Sequence, residues 1–343
     1  MNPKDANATR PAPAGAGQAL LDWSRRKVDY LRISITDRCN ERCLYCMPQG
    51  LKDWKEHDEI LSYEEVLRVV RIAVALGFSK FRITGGEPLV RRDAVLFLEQ
   101  LGQVPGIRSL GLSTNATLLA PVARRLQQAG IDSVNVSLDT LDAAEYQRIT
   151  LKDLASAVAG IDAAVAAGFP KIKLNAVLMR GKSETQLLPL LDFARERGAY
   201  LRFIELMPLT TTQVLTRENF LPAEEARRAI SESIPLERAE DVRLGHGPAV
   251  YYRTPTGQLV GFIGAMTDLH FCDACNKIRL TSDGKIRPCL GNHLEFDLKS
   301  ILRGGGSDDD VADLFRRTLG LKPAEHEFRG QYRPGRSMTA IGG

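Results

Sequence analysis

Cysteine is scarce in this chain, with six in 343 residues. Aromatic residues are few, at 6%, and 46 Lys and Arg against 42 Asp and Glu leave a net charge of only +4. Each shortage excludes something. Six cysteines are too sparse for a disulfide scaffold. A charge of +4 over this length does not by itself argue for nucleic acid or a membrane surface. The longest small-apolar stretches, such as 163–167, fall far short of a membrane span. The N-terminus has no apolar core followed by a small-residue cleavage site, so a secretory signal is not expected. What is present, 44% hydrophobic and 26% charged residues, suits a chain with a sizeable core. The length suggests about two domains, or one barrel plus an extension.

The first 20 residues are rich in Ala, Pro, Gly and Asn without periodicity, and a mobile tail is expected over 1–22. Strand-like runs follow at 31–36, 80–84, 107–113, 132–138, 171–178 and 200–206. Amphipathic segments lie between them. Ser62 with Glu65, and Ser183 with Gln186, have the spacing of capping boxes; Gly77, Gly130, Gly168 and Gly198 stand where helices should stop. Six strand–helix units in a row predict an α/β fold, a parallel sheet or incomplete barrel, over 23–215. After about residue 215 a helix near 222–233, a hairpin over 248–263 and a helix near 308–320 predict a smaller α+β unit, 216–333, before a tail at 334–343. Gly304-Gly305-Gly306 reads as a flexible joint.

The strands alternate in an unusual way. Leu31, Ile33 and Ile35 share one face and Arg32, Ser34 and Thr36 the other; Phe81 and Ile83 oppose Lys80, Arg82 and Thr84; Ile172 and Leu174 oppose Lys171, Lys173 and Asn175. Helices cover the apolar face of a parallel sheet. The cationic face, with Arg32, Lys80, Arg82, Lys173 and Arg202, would then line the interior, where buried cations need anionic partners. A polar, anionic ligand is the natural counter-charge, since guanidinium groups match phosphate oxygens. An antiparallel sheet with one wet face would show the same alternation, but the intervening helices argue against it.

The cysteines fall into two triplets: Cys39, Cys43 and Cys46 directly after the first strand, and Cys272, Cys275 and Cys289 in the C-terminal region. A structural zinc ion takes four ligands, and iron–sulfur clusters are usually held by four thiolates. Three thiolates leave one iron open to a small chelating molecule. On spacing alone, His57 could complete a zinc site at the first triplet, and His270 or His293 a zinc knuckle at the second. The five histidines, His57, His246, His270, His293 and His326, are assigned no catalytic role.

The loop Cys39-x3-Cys43-x2-Cys46, with Tyr45 before its last cysteine, resembles the signature of the radical S-adenosylmethionine (SAM) superfamily. Gly85-Gly86-Glu87-Pro88, Ser113-Thr114-Asn115 and Ser137-Leu138-Asp139 follow successive strands in the same way. The second triplet, set in Cys-x2-Cys-Asn-Lys-Ile-Arg-Leu-Thr-x-Asp-Gly, and the terminal Ile341-Gly342-Gly343 narrow the resemblance to the GTP 3′,8-cyclase (MoaA) family of molybdenum cofactor biosynthesis. It runs from about Leu31 to the last residue.

That resemblance implies an incomplete (β/α)6 TIM-like barrel of the radical SAM type, with a smaller C-terminal α+β auxiliary-cluster domain. It implies a lyase that converts GTP to 3′,8-cyclo-7,8-dihydro-GTP after a 5′-deoxyadenosyl radical removes the ribose 3′ hydrogen. Two 4Fe-4S clusters are implied, one on Cys39, Cys43 and Cys46, the other on Cys272, Cys275 and Cys289. SAM would bind the open iron of the first, near Tyr45, Gly85, Gly86, Glu87, Ser137 and Met207; Met207 read alone is a core residue. GTP would face the second cluster and contact Arg32, Arg82, Thr114, Lys173, Lys277 and Arg279, with Lys80 and Arg202 added from the strand pattern. Position 277 is Lys where many members have Arg, which keeps charge but loses the forked geometry. Gly342 and Gly343 match a family tail that reaches the active site; no protein acid or base is assigned. A flavodoxin- or ferredoxin-type reductant, a downstream cyclic pyranopterin monophosphate synthase, a cytoplasmic location and a monomer or homodimer are implied, with no nucleic acid or membrane partner. A peptide-modifying radical SAM enzyme with an auxiliary cluster is the competing enzyme reading, and a zinc-stabilised nucleotide-binding protein without catalysis the competing non-enzyme one.

Overall fold

The computed structural model describes residues 20–47, 54–210, 214–242, 244–245, 247–330 and 332–342. Most of the expected N-terminal tail, and Gly343, lie outside the described residues. Leu20 and Asp22 are buried; the Asp22 carboxylate accepts from Arg26 Nε at 2.6 Å and closes a turn ahead of the first strand.

Among the described residues, twelve strands form one sheet. β1 (Tyr30–Ser34), β2 (Lys80–Thr84), β3 (Ser109–Thr114), β4 (Ser133–Ser137), β5 (Lys171–Leu178) and β6 (Tyr200–Glu205) pair in chain order, all parallel. The C-terminal half adds β7 (Glu237–Arg238), β8 (Val250–Arg253), β9 (Leu259–Ile263), β10 (Lys277–Leu280), β11 (Lys285–Arg287) and β12 (Phe296–Asp297). These extend the same sheet at both edges: β9 pairs parallel with β6, and β10 parallel with β1. β12 and β7 are the outermost strands, so the sheet does not close.

Helices cover the apolar strand faces. Leu31, Ile33, Phe81, Ile83, Leu112, Val134 and Leu174 are buried in one core with Val66, Val69 and Val70 of helix Tyr63–Leu76 and Leu190 and Leu191 of helix Leu187–Glu196. Helix Tyr63–Leu76 starts at the Ser62–Glu65 capping box and ends at Gly77, whose φ of 107° suits only glycine. The second expected box does not form. Ser183 Oγ accepts from Met179 N at 2.9 Å, Gln186 Oε1 accepts from Leu141 N, and a 3-10 turn, Glu184–Gln186, precedes the helix. The glycine run at 304–306 is a tight turn rather than a loose joint: Gly306 N donates to Ile301 O at 2.8 Å, and Gly305 has φ of 79°. Helix Asp308–Gly320 and the hairpin of β8 and β9 stand where the sequence predicts them.

Candidate active site

The register of β1 and β10 sets the long axis of the site. Tyr30 lies opposite Lys277 and Arg32 opposite Arg279, the strands running the same way. Cys39, Cys43 and Cys46 lie beyond the C-terminal end of β1. Cys272 and Cys275 come just before β10, and Cys289 just after the antiparallel β11. The two triplets therefore stand at opposite ends of the strands, with the cationic face between them.

That face carries Arg279, Arg32 and Arg82 in one register row, with Lys173 and Arg202 on neighbouring strands. Arg82 donates from Nε to Tyr30 Oη (2.8 Å), and from its terminal nitrogens to Leu112 O and Ser133 Oγ (both 2.7 Å). Gly111 makes room for this: a Cβ there would stand 2.3 Å from the Arg82 guanidinium. Arg202 donates twice to Asn175 Oδ1, at 2.9 and 2.6 Å. These acceptors are all neutral, so the positive charge stays. Lys80 differs, being paired with Asp29 at 2.9 Å. Burial, together with the Arg202 and Arg82 guanidinium groups, brings the Lys173 ammonium down to about 7. Burial likewise lowers Arg32 to about 10, and lowers Arg202, Lys277 and Arg279. A group of buried cations that repel one another is a receptor for a multiply charged anion.

The first cysteine loop is fixed by a network that the sequence did not single out. Arg42 N and Leu44 N donate to Thr150 O and Ile149 O. Tyr146 Oη donates to Glu41 Oε1 at 2.6 Å, and Tyr45 Oη to Asp139 Oδ2 at 2.7 Å. Asn115 Nδ2 donates to Asn40 Oδ1, and Asn40 Nδ2 to Thr117 Oγ1, both at 2.8 Å. Burial pushes the carboxyls of Glu41 and Glu87 up to about 7 and that of Asp139 to about 6. Burial also pushes the Cys39 and Cys46 thiols up to about 12.

Gly85 and Gly86 lie against the base of that loop. Gly86 N donates to Thr36 O, Glu87 N to Arg38 O, and a Cβ at Gly86 would stand 2.3 Å from Arg38 O. The glycines thus let two turns of this chain meet. Glu87, 1% exposed, accepts from Leu89 N (3.0 Å), Thr114 Oγ1 (2.9 Å) and Asn115 N (2.7 Å). It staples the turn to the end of β3. The Thr114 hydroxyl also accepts from Ala116 N. Ser137 is exposed at the end of β4, and Met207 packs with Leu209, Phe328 and Tyr332. Glu205, fully buried, accepts from Ala223 N, Met266 N, and the N–H and hydroxyl of Thr267, tying β6 to the C-terminal half.

At the other end, Lys322 Nζ stands 3.4 Å from Cys275 Sγ, and the Arg26 guanidinium donates to Cys272 O at 2.9 Å. Burial would push Cys275 up, but the Lys322 and Lys277 ammonium groups bring it to about 7. Cations set beside the sulfur suit thiolates on an iron–sulfur cluster. All six cysteines are free. Among the described residues no three His, Cys, Asp or Glu side chains are placed to hold a single metal ion. The C-terminal tail enters from the side: Arg279 donates to Gly342 O, and a Cβ at Gly342 would stand 2.7 Å from Ser34 Cβ.

Residues 33–194 match the model of the Radical SAM superfamily, and residues 199–328 that of Molybdenum Cofactor Synthesis C. GTP 3′,8-cyclase of Moorella thermoacetica is 44% identical over 326 residues, covering 94% of this chain and 100% of that protein. The enzyme of the same name from Pelotomaculum thermopropionicum is 43% identical, with the same coverage. The chain belongs to the GTP 3′,8-cyclase family. Among solved structures, Streptococcus suis SuiB bound to its precursor peptide SuiA superposes with a TM-score of 0.57 at 17% identity, covering 89% of this chain and 75% of that one. That likeness shows the radical SAM fold. Membership of the cyclase family favours GTP over the peptide and zinc readings. Among the described residues no helix is long and apolar enough to cross a membrane.

Proposed function

We propose that this chain catalyses the first step of molybdenum cofactor biosynthesis, converting GTP to 3′,8-cyclo-7,8-dihydro-GTP. The observation that carries this is the buried cationic face held between two cysteine triplets at opposite ends of parallel β1 and β10. Cys39, Cys43 and Cys46 would hold one 4Fe-4S cluster, and Cys272, Cys275 and Cys289 the other. When bound, the first cluster and SAM supply the 5′-deoxyadenosyl radical that removes the ribose 3′ hydrogen.

The chain's own residues bind and orient. Arg32, Arg82, Lys173, Arg202 and Arg279 receive the triphosphate, with Lys277 toward the second triplet and Lys80 at the strand base. Tyr45, Gly85, Gly86, Ser137 and Met207 frame the SAM end. Glu87 positions Asn115 there, and holds Thr114 for contact with GTP. Residues 23–215 carry the radical chemistry, 216–333 the auxiliary cluster and the closing face, and the tail 334–343 brings Gly342 onto the cationic face at Arg279. A flavodoxin- or ferredoxin-type protein supplies electrons, a cyclic pyranopterin monophosphate synthase consumes the product, and the enzyme works in the cytoplasm as a monomer or homodimer. The test is binding: isolated protein should bind GTP with an affinity that falls as salt is added, and Arg82→Met should weaken it. Salt-insensitive binding, or none, would refute the phosphate role.

A further inference from the structure

One buried ammonium lies behind the second triplet. Lys322 follows helix Asp308–Gly320 and is 2% exposed. Its Nζ stands 3.4 Å from Cys275 Sγ and donates to Pro288 O at 2.7 Å. Pro288 directly precedes Cys289, so one side chain spans the two segments that carry Cys275 and Cys289. The residues after Lys322 reach the third position. Pro323 O accepts from Arg26 at 2.6 Å, and the same guanidinium donates to Cys272 O at 2.9 Å. Residues 322–323 therefore contact Cys275 directly, the Cys289 segment through the Pro288 carbonyl, and Cys272 through Arg26.

A buried ammonium needs a negative partner. Among the described residues Lys322 forms no ion pair with Asp or Glu; its acceptors are a carbonyl and a sulfur. A metal-bound thiolate at Cys275 would be that partner. The first triplet is set among carboxylates instead, Glu41, Glu87 and Asp139.

We propose that Lys322 is a positioning residue of the second cluster: its ammonium, beside the Cys275 sulfur, holds that cluster in place and makes it easier to reduce. A fixed positive charge beside the sulfurs stabilises the added electron, and outer-sphere hydrogen bonds fix the ligand loops. The inference rests on reading Cys272, Cys275 and Cys289 as cluster ligands.

The test compares wild type, Lys322→Met and Lys322→Arg as full-length, anaerobically reconstituted protein. Iron and sulfide content are measured, and both clusters are titrated with dithionite under EPR. The first cluster is identified by its response to SAM. In Lys322→Met the second cluster's potential should fall, or that cluster alone should be lost, while the first is unchanged and Lys322→Arg stays near wild type. Unchanged potentials in Lys322→Met, equal shifts of both clusters, or the same loss in Met and Arg variants would overturn the proposal. Wild-type protein with iron at the first triplet only would overturn the cluster assignment beneath it, and is distinguishable because it appears before any substitution.

Discussion

Arg279 in β10 donates a hydrogen bond to the carbonyl oxygen of Gly342, next to the last residue of the chain. The contact draws the C-terminus onto β1 and β2, where Gly342 has φ of 84° and no space for a side chain beside Ser34 and Thr84. Arg336 holds the tail from behind, paired with Asp283 at 2.8 Å and Glu295 at 3.1 Å. Substituting Gly342→Ala should displace the tail, since the backbone conformation and the contact both resist a Cβ. Product formation should fall about tenfold or more, with iron content and thermal unfolding near wild type. Cyclisation at the wild-type rate would remove the tail from the active site.

The two ends of the barrel should separate genetically. Arg82→Met removes a cation from the phosphate face, and the loss of charge-assisted contacts should weaken GTP binding by about 1.5–3 kcal/mol. Glu87→Gln leaves one N–H of the set it accepts facing an amide donor, a fault of about 1–3 kcal/mol at the SAM end. Isothermal titration with GTP and, separately, SAM cleavage without GTP are the measurements. Arg82→Met should impair the first and spare the second, and Glu87→Gln the reverse. Equal damage to both by either variant would contradict the division.

Lys173 gives a pH signature. Its ammonium is lowered to about 7, first by burial and then by Arg202 and Arg82. The unfolded chain, with an ordinary lysine, binds more protons between about 7 and 10.5, so folding stability should rise with pH across that window, by up to about 1.4 kcal/mol per pH unit. GTP favours the charged form, so its affinity should fall about tenfold per unit above pH 7, with proton uptake on binding. Titrations in buffers of different ionisation enthalpy check this. Lys173→Met should abolish the dependence of GTP affinity and shrink that of stability, to which Cys275, also lowered to about 7, contributes in the same direction; an unchanged affinity profile would assign it elsewhere.

Much of this was legible because the information is local. Period-two alternation marks β1, β2 and β5, and the cations on the opposite face follow from the same pattern. Ser62, Glu65 and Gly77 bracket a helix because capping depends on neighbours a few residues away. What depends on distant partners was not legible. Lys277-Ile278-Arg279-Leu280 reads as a short strand, but nothing in it says that it pairs with β1 and extends the barrel sheet. Glu41 and Glu205 are ordinary acids in the sequence; their partners lie at Tyr146 and Thr267. Ser183 had the spacing of a cap, but its hydroxyl turns back to Met179 N and Val177 O at the end of β5 instead. Gly111 carried a usable signal, since a glycine opposite an arginine in a parallel sheet makes room for the guanidinium, while Gly261, opposite Arg202, makes room for the Tyr251 ring and the Arg202 Cγ.

Glu205 should be structural. It is fully buried and satisfied by two backbone segments and one hydroxyl. Glu205→Ala leaves those donors unmet, at a cost of about 2–4 kcal/mol. Chemical denaturation should show the loss in the apoprotein as well as in the reconstituted enzyme. A loss seen only with clusters bound would make Glu205 part of cluster binding instead.

The central claim is that the buried cationic face between the triplets takes GTP for radical cyclisation. Anaerobically reconstituted protein with SAM, dithionite and GTP tests it most directly. The account predicts that GTP is consumed and that 5′-deoxyadenosine and 3′,8-cyclo-7,8-dihydro-GTP appear together. Cleavage of SAM with GTP recovered unchanged would contradict it.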